Sequence, residues 1–277
     1  MHPHHHNCSP TVQHFAYWLA WLTPWSSAPK SDLTVLWQHG LHKKSATELL
    51  TTDDINWLWQ ALARMMQGHS VAHILGNQPF YQDTFLVNQS TLIPRSASES
   101  LIPIAQSLMT AKQGHLLDVG TGTGNLVISL AKKTGWRYWA MDCSQPAINL
   151  AKRNAKTLNS LPIQWIHQDH LNGQLPKMDL IISNPPYLSN DQWCRWGQGI
   201  SREPKTALIV GATGYELLYQ IARQSLKQLK PKGTLLLEHG ANQANPLAKF
   251  LKRLGYQDIK HYNDLSGHQR FTKGVLL

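Results

Sequence analysis

The sequence has few cysteines, few charged residues and no long apolar run. Its three cysteines, Cys8, Cys143 and Cys194, are an odd number without Cys-x-x-Cys spacing, which favours a reducing cytoplasm and argues against a zinc site. No apolar stretch approaches the roughly eighteen residues that a membrane-spanning helix needs. The first residues lack the basic and apolar blocks of a secretory signal. We therefore expect a globular cytoplasmic protein with no metal and no membrane partner.

Acidic residues are scarce, and the excess of basic residues is unevenly placed. The chain has 26 Lys and Arg against 16 Asp and Glu, a net charge of +10. Residues 1–75 hold four of each sign, so 22 basic (26 − 4) and 12 acidic residues (16 − 4) lie in 76–277. Such a basic region suits a nucleic acid, or a protein that itself works on RNA. A merely soluble basic surface explains scattered charges equally well.

Periodicity divides the chain into three parts. Residues 9–23 and 53–68 have helical periodicity, which predicts a small all-helical domain over 1–75. Six of the eleven tryptophans lie there, at spacings more typical of a core than of base stacking. Alternating residues within 76–93 predict a β-hairpin linker. The remainder, 94–277, forms the main domain.

Strands and helices alternate through this main domain. After a helix over 99–112, we predict strands at 116–119, 136–142, 162–167, 178–183, 233–238, 256–262 and 269–276, with helices at 125–133, 145–158, 214–229 and 241–254. Alternation of this kind predicts an α/β fold with a doubly wound, mostly parallel sheet. Its ligand would lie at the carboxyl ends of the strands.

A glycine loop follows the first of these strands. In Gly120-Thr121-Gly122-Thr123-Gly124 the glycines let the backbone approach a ligand where any Cβ would clash, and the helix that follows favours an anionic group. The spacing GxGxG favours S-adenosylmethionine over a dinucleotide, because the loop holds a carboxylate and not a pyrophosphate.

Three side chains near the ends of the next strands complete the predicted donor site. Asp142 can accept both ribose hydroxyls. Asp169 could accept the adenine amino group. His170 could pack on the adenine ring, although a histidine after a strand is usually just exposed.

The stretch Asn184-Pro185-Pro186-Tyr187 ends the fourth strand. The lone pair of an amide or exocyclic amine nitrogen is delocalised, so an enzyme that alkylates it must hold it in line with the electrophile. The Asn184 carbonyl and a backbone carbonyl of the prolyl stretch could each accept one N–H, and Tyr187 could stack on the planar group. Alternatively, the stretch is a strand-ending turn with a structural tyrosine.

Arg95 and Glu99 precede the glycine loop. They form either a surface ion pair at helix spacing or part of the cleft lining. The leading interpretation of the whole pattern is transfer of a methyl group to a planar nitrogen, without a metal.

In their order, these motifs resemble those of the peptide chain release factor glutamine N5-methyltransferases. The motifs are Leu92-Ile93-Pro94-Arg95 with Glu99, Asp118-Val119-Gly120-Thr121-Gly122-Thr123-Gly124, Asn184-Pro185-Pro186-Tyr187, Glu203-Pro204 with Ala207-Leu208, Leu236-Leu237-Glu238-His239-Gly240, and Asp264-Leu265-Ser266-Gly267. The resemblance covers essentially the whole chain. It departs at Ser96-Ala97-Ser98, where the family usually has Pro-Asp-Thr, at His170, usually aromatic, and at Arg202, usually Phe.

The resemblance implies a class I methyltransferase that uses S-adenosylmethionine to methylate the glutamine of the Gly-Gly-Gln motif in bacterial class 1 release factors. Gly120 to Gly124, Asp142, His170 and Asn184 would contact the donor. Asn184 to Tyr187 would hold the glutamine, with Arg95 and Glu99 as further substrate contacts. Residues 1–75 would recognise the substrate, and no stable nucleic-acid partner is expected.

Three alternatives stay open. An adenine-N6 methyltransferase of DNA or RNA uses the same Pro-Pro-aromatic logic, but it would need clustered basic residues and a larger target-reading region. A glutamine methyltransferase of a large-subunit ribosomal protein differs mainly in its front domain. A catalytically silent module could bind a release factor or the ribosome.

Overall fold

The computed structural model describes residues 32, 34–41, 50–132, 135–171, 175–196 and 203–277. The chain forms two compact units, Met1–Gly76 and Asn77–Leu277. The helix expected over 9–23 lies outside the described residues.

The described part of the first unit is helical. A π-helical turn spans Leu36–Gly40, followed by α1 (Thr52–Met66) and α2 (Val71–Leu75). A capping box starts α1, because the Thr51 hydroxyl accepts from Asp54 N (3.1 Å) and the Asp54 carboxylate accepts from Thr51 N (2.8 Å). The helix expected over 53–68 is therefore confirmed to within two residues.

Among the described residues of this unit, the buried side chains are mainly aliphatic. Leu58, Ala61 and Leu62 on α1 are buried, as is Leu36 in the π-helical turn. Trp59 keeps 42% of its surface exposed. The expectation that the tryptophans build the core is therefore wrong for Trp59.

The second unit begins with the expected β-hairpin. Strands β1 (Asn77–Phe80) and β2 (Asp83–Leu86) pair antiparallel. The rings of Phe80 and Phe85 are almost completely buried and meet edge to face with their centroids 6.0 Å apart. They pack in the core of the second unit.

A seven-stranded sheet forms the centre of this unit. Its strands are β3 (Gly114–Val119), β4 (Trp136–Asp142), β5 (Ile163–His167), β6 (Met178–Ser183), β7 (Leu229–Glu238), β8 (Tyr256–Asn263) and β9 (Gln269–Leu276). Their order is β5-β4-β3-β6-β7-β9-β8, parallel from β5 to β7 and antiparallel at β9 and β8. The predicted doubly wound, mostly parallel sheet is confirmed.

Helices cover both faces of this sheet. They are α3 (Ser96–Glu99), α4 (Leu101–Leu108), α5 (Asn125–Leu130), α6 (Gln145–Thr157), α7 (Asn190–Trp196), α8 (Glu216–Ser225) and α9 (Ala244–Arg253). Alternate strand residues enter opposite cores: Leu116 packs with α4 and α5, whereas Leu117 packs with α8 and α9.

Several elements differ from the prediction, among them the helix expected over 214–229, which spans Glu216–Ser225. The helix expected over 99–112 is two shorter helices, α3 and α4. Strand β7 begins at Leu229 rather than 233, with an irregularity in its pairing to β6. Helix α7 was not expected; it starts where Ser189 and Gln192 exchange side-chain hydrogen bonds with each other's backbone N–H (2.9 and 3.2 Å).

Candidate active site

The glycine loop is fixed to the end of the neighbouring strand. The N–H groups of Gly120 and Thr121 both donate to the carbonyl of Met141 in β4 (2.9 and 3.0 Å). The two carboxylate oxygens of Asp142 accept from Gly122 N and Ser144 N, each at 2.9 Å. Asp142 therefore holds the loop and still faces the cleft with its remaining lone pairs.

The loop backbone borders open space. Gly120 and Gly122 have φ values of +72° and +55°, and a Cβ built on either meets no heavy atom within 4 Å. At Gly124 a Cβ would lie 3.1 Å from the Cβ of Ala151. The first two glycines thus leave room for a ligand, whereas the third allows α5 and α6 to pack closely.

Asp118 lies beneath this loop and is completely buried. Its Oδ2 accepts the Thr121 hydroxyl at 2.7 Å, while no partner of the buried Oδ1 is found among the described residues. Burial raises the pKa of Asp118 to about 7, against the lowering effect of the Thr121 hydrogen bond. A buried carboxyl group with an unpaired oxygen thus forms part of the site's support.

Asn184 lies at the carboxyl end of β6. The hydroxyl of the preceding residue, Ser183, donates to the carbonyl of Val119 in β3 (2.7 Å) and so joins the ends of the two strands. The Asn184 amide nitrogen donates to Ser98 Oγ at 3.0 Å, which directs Oδ1 away from Ser98. Asn184, Pro185 and Pro186 line the same cleft as the glycine loop and Asp142.

Tyr187 is placed differently from its predicted stacking role. It is not among the described residues that line the cleft, and its carbonyl accepts from Gln243 Nε2 at 3.3 Å. Burial raises the pKa of its hydroxyl, and the nearby Glu238 raises it further. Stacking of this ring on a substrate stays a prediction.

Arg95 forms its ion pair with Glu203 and not at helix spacing. Arg95 Nη2 lies 2.5 Å from Glu203 Oε1, and Glu203 Oε2 accepts from Ile93 N at 2.8 Å. Arg95 lines the cleft, but Glu99 is not among the lining residues in the described part of the chain. Of the predicted cleft-lining pair, Arg95 therefore lines the cleft, whereas Glu99, four residues further along the chain, lies outside the described lining.

Only one of the two residues expected at the adenine ring lines the cleft within the described part of the chain. Asp169 contributes to the cleft lining although its side chain is 70% exposed. His170 lies outside the described lining, with Nδ1 3.1 Å from Gln220 Nε2 and Nε2 3.5 Å from the Asp169 carboxylate. No geometry here places the imidazole ring over a ligand.

Three polar residues at this site have no role predicted from the sequence. Ser98 contacts Asn184, Glu203 holds Arg95, and Glu238 is buried beside both Ser98 and Asn184. Glu203 and Glu238 belong to two of the motifs that carry the family resemblance, and this membership is the sequence signal for them. Ser98 stands at the third position of a departure from the family pattern.

Comparison with known proteins places this cleft in a family. Residues 94–208 match the family model described as methyltransferase small domain. A release factor glutamine methyltransferase of Shewanella oneidensis is 34% identical over 258 residues, with 90% of each chain covered. One from Enterococcus faecalis is 36% identical over 218 residues, covering 76% of this chain and 77% of that protein.

The chain belongs to the release factor glutamine methyltransferase family. The resemblance found in the sequence is thereby confirmed. A crystal structure of a methyltransferase from Pyrococcus furiosus superimposes with a TM-score of 0.54 at 16% identity, covering 78% of this chain and 98% of that one. At this identity the likeness shows the fold alone, and with the family it confirms the predicted class I methyltransferase fold.

The cleft of this family member fits S-adenosylmethionine. The empty space beside Gly120 and Gly122 borders backbone that no Cβ obstructs, and Asp142 is an acceptor at the end of the adjacent strand.

No helix within the described ranges is long and apolar enough to cross a membrane. The same residues contain no group of three or more His, Cys, Asp or Glu arranged to hold a metal ion.

Proposed function

We propose that this chain methylates the side-chain amide nitrogen of the glutamine in the Gly-Gly-Gln motif of class 1 peptide chain release factors, with S-adenosylmethionine as the methyl donor. The observation that carries the proposal is the position of Asn184. Its side chain lines the cleft that the glycine loop also borders, and its amide nitrogen is occupied by Ser98. The Oδ1 acceptor is therefore available to a planar NH2 group.

Different residues of the cleft would bind the donor and the substrate. Gly120 to Gly124 would accommodate the amino-acid part of the donor, and Asp142 its ribose hydroxyls. The bound donor supplies an activated methyl group on a sulfonium. Asp169, which lines the cleft, would accept the adenine amino group. His170 would reach the adenine only if its ring turned away from Gln220.

Catalysis by the protein consists mainly of positioning. Asn184 Oδ1 and a backbone carbonyl of the Pro185-Pro186 stretch would each accept one N–H of the glutamine amide, fixing its plane and increasing electron density on nitrogen. The two prolines bring no N–H donors of their own to compete. The Arg95–Glu203 pair holds the segment before α3 against the cleft, which Arg95 lines.

Residues 1–75 are proposed to recognise the protein substrate, with 76–93 as the hairpin connection and 94–277 as the methyltransferase domain. The front unit is uncharged overall, so this recognition would not depend on phosphate contacts. A cytoplasmic location stays a prediction.

The test is transfer of a labelled methyl group to a purified release factor. A release factor variant lacking the Gly-Gly-Gln glutamine, a large-subunit ribosomal protein, total RNA and duplex DNA serve as comparison substrates. We expect label on the intact release factor alone. Label on the ribosomal protein or on nucleic acid would overturn the proposed substrate, and no transfer by a chain that binds the donor would support a silent binding module.

The Asn184→Ala variant tests the proposed site. Turnover should fall by roughly two to three orders of magnitude while the dissociation constant of the donor stays nearly unchanged, because a transition-state acceptor is lost. The exposed Asn190 provides the matched control, Asn190→Ala, which should leave turnover unchanged. Full activity of Asn184→Ala would remove Asn184 from the mechanism.

A further inference from the structure

Glu238 is a buried carboxyl group behind the cleft that the proposed mechanism does not use. It is the last residue of β7 and only 2% exposed. One of its oxygens, Oε2, is buried and has no hydrogen-bond partner among the residues that the structure describes. Placing such a group in the protein interior is costly, so its presence beside the proposed substrate-binding residue calls for a functional reason.

The surroundings of Glu238 lead directly to Asn184. The side chains of Ser98 and Asn184 stand beside its carboxyl group, and both favour the ionised form. Charged groups also act on it: Arg270 favours ionisation, whereas Asp264 opposes it. Glu238 in turn raises the pKa of the Tyr187 hydroxyl, after burial as the largest cause.

An ionised carboxylate determines which end of a neighbouring amide faces it. A carboxylate only accepts hydrogen bonds, and the Asn184 side chain has a donor end and an acceptor end. With Glu238 ionised, the NH2 end of Asn184 is attracted toward the carboxylate, and the Oδ1 end is repelled from it.

Ser98 reinforces this orientation because its hydroxyl carries one proton. If that proton is directed to the Glu238 carboxylate, Ser98 Oγ can only accept from Asn184. The observed hydrogen bond has this direction, from Asn184 Nδ2 to Ser98 Oγ at 3.0 Å.

We propose that Glu238 and Ser98 are positioning residues which fix the side-chain amide of Asn184 with its oxygen toward the cleft. The inference rests on the proposed function, in which Asn184 Oδ1 accepts an N–H of the substrate amide. Neither Glu238 nor Ser98 needs to touch the substrate. They prevent the side-chain amide of Asn184 from flipping. A flipped amide would place the NH2 group of Asn184, a donor, against the NH2 group of the substrate, which is also a donor.

The arrangement makes turnover sensitive to pH. Burial raises the pKa of Glu238 to about 7. A protonated Glu238 can donate to Ser98, whose own proton is then free to point at Asn184 Oδ1 and stabilise the flipped amide. The active form therefore needs ionised Glu238, and turnover falls as the pH drops through about 7.

The same arrangement predicts that ionised Glu238 supports turnover but lowers the free energy of unfolding. A carboxyl group whose pKa is higher in the folded than in the unfolded state lowers the free energy of unfolding progressively as the pH rises through that interval. Replacing Glu238 by Gln removes this effect. The free energy of unfolding of the variant minus that of the parent should therefore be more positive at pH 8 than at pH 5. If Glu238 only supported the fold, its replacement would lower the free energy of unfolding at both pH values.

The experiment compares Glu238→Gln, Ser98→Ala and Ser98→Thr with the parent, using labelled-methyl transfer from pH 5.5 to 8.5, calorimetric donor binding and thermal unfolding. For Glu238→Gln we expect kcat to fall about tenfold to a hundredfold with little change in donor Kd, and the acidic limb of the pH profile to disappear. Ser98→Ala should also lose turnover, and Ser98→Thr, which keeps a hydroxyl, should restore it. Glu216→Gln, at an exposed carboxyl that accepts from the loop N–H groups of Ala212 and Thr213, is the matched control and should keep the parent's kcat, donor Kd and pH profile.

Two results would overturn the proposal. One is a Glu238→Gln protein with the parent's kcat and pH profile. The other is a variant that loses donor binding and unfolds at a lower temperature at every pH, as expected if Glu238 only supports the fold. Failure of the parent to methylate a release factor would instead count against the proposed function.

A readout independent of the reaction separates these cases. The NH2 resonances of the Asn184 side chain, assigned by comparison with Asn184→Ala, should shift with pH near 7 in the parent and stay constant in Glu238→Gln. Resonances that do not titrate in the parent would refute the coupling, whatever the substrate proves to be.

Discussion

The side chain of Asn154 in α6 forms hydrogen bonds with both backbone groups of Leu86 in the hairpin. Asn154 Oδ1 accepts from Leu86 N at 2.7 Å, and Nδ2 donates to Leu86 O at 3.1 Å. The same Nδ2 donates to the carbonyl of Thr123 at 2.9 Å. One buried amide thereby joins the hairpin to the glycine loop.

Replacing Asn154 by Ala should lower the free energy of unfolding by about 2 to 4 kcal/mol, because one buried and two partly buried backbone groups lose their partner. Denaturant unfolding measures the change. Asn149→Ala is the control on the same helix, since Asn149 is exposed and contacts only Gln145 among the hydrogen bonds found for it. A loss below about 0.5 kcal/mol in Asn154→Ala would show that these hydrogen bonds contribute little.

Gly122→Ala should weaken donor binding more than it weakens the fold. Its φ of +55° makes any Cβ strained, at a cost of about 1 to 2 kcal/mol, and that Cβ would occupy the open space in the cleft. Gly255 also has a positive φ (+96°) and no neighbour within 4 Å of a built Cβ, but it follows α9 outside the cleft lining. Gly255→Ala should therefore show a similar loss of stability with normal calorimetric binding of S-adenosylmethionine, and equal binding by both variants would refute the role of Gly122.

Asp142→Ala should raise the dissociation constant of S-adenosylmethionine by about tenfold to a hundredfold, because the loop loses its acceptor for Gly122 N and the ribose loses its own. Isothermal calorimetry measures the constant. The exposed Asp191 gives the comparison, and Asp191→Ala should bind as the parent does. An unaltered constant in Asp142→Ala would contradict the ribose assignment.

Asp118→Asn should change how stability depends on pH. The pKa of Asp118 is about 7 in the folded protein against 3.8 ordinarily, so the native state retains a proton that the unfolded state releases between these values. The free energy of unfolding of the parent thus falls in this window as the pH rises. The amide of the variant does not titrate and cannot contribute to that fall.

The melting temperature of Asp118→Asn relative to the parent should therefore rise from pH 5 to pH 8. Asp258→Asn is the control: the Lys273 ammonium lowers the pKa of that exposed carboxyl group, so it stays ionised across the whole range. Its difference from the parent should stay constant between the same two pH values. A constant difference for Asp118→Asn as well would show that Asp118 does not titrate there.

Sequence patterns alone predict the alternation of strands and helices, the glycine loop and the position of Asn184 at a strand end. These are local properties, because apolar periodicity and glycine spacing act over a few neighbouring residues. Apolar periodicity does not predict helix α7 or the early start of β7, because neither depends on it. Helix α7 begins with a two-residue hydrogen-bond exchange in a polar segment, and the first residues of β7 are added by pairing with β6.

The pairing of distant polar groups is visible only in the folded chain. Arg95 finds Glu203 108 positions along the chain rather than Glu99 four positions away, and Ser98 meets Asn184 across 86 positions. Sheet order brings the carboxyl ends of β3, β6 and β7 together, and burial there gives Asp118 and Glu238 their raised pKa values. Partner choice and burial depend on three-dimensional proximity, which no local pattern in the sequence encodes.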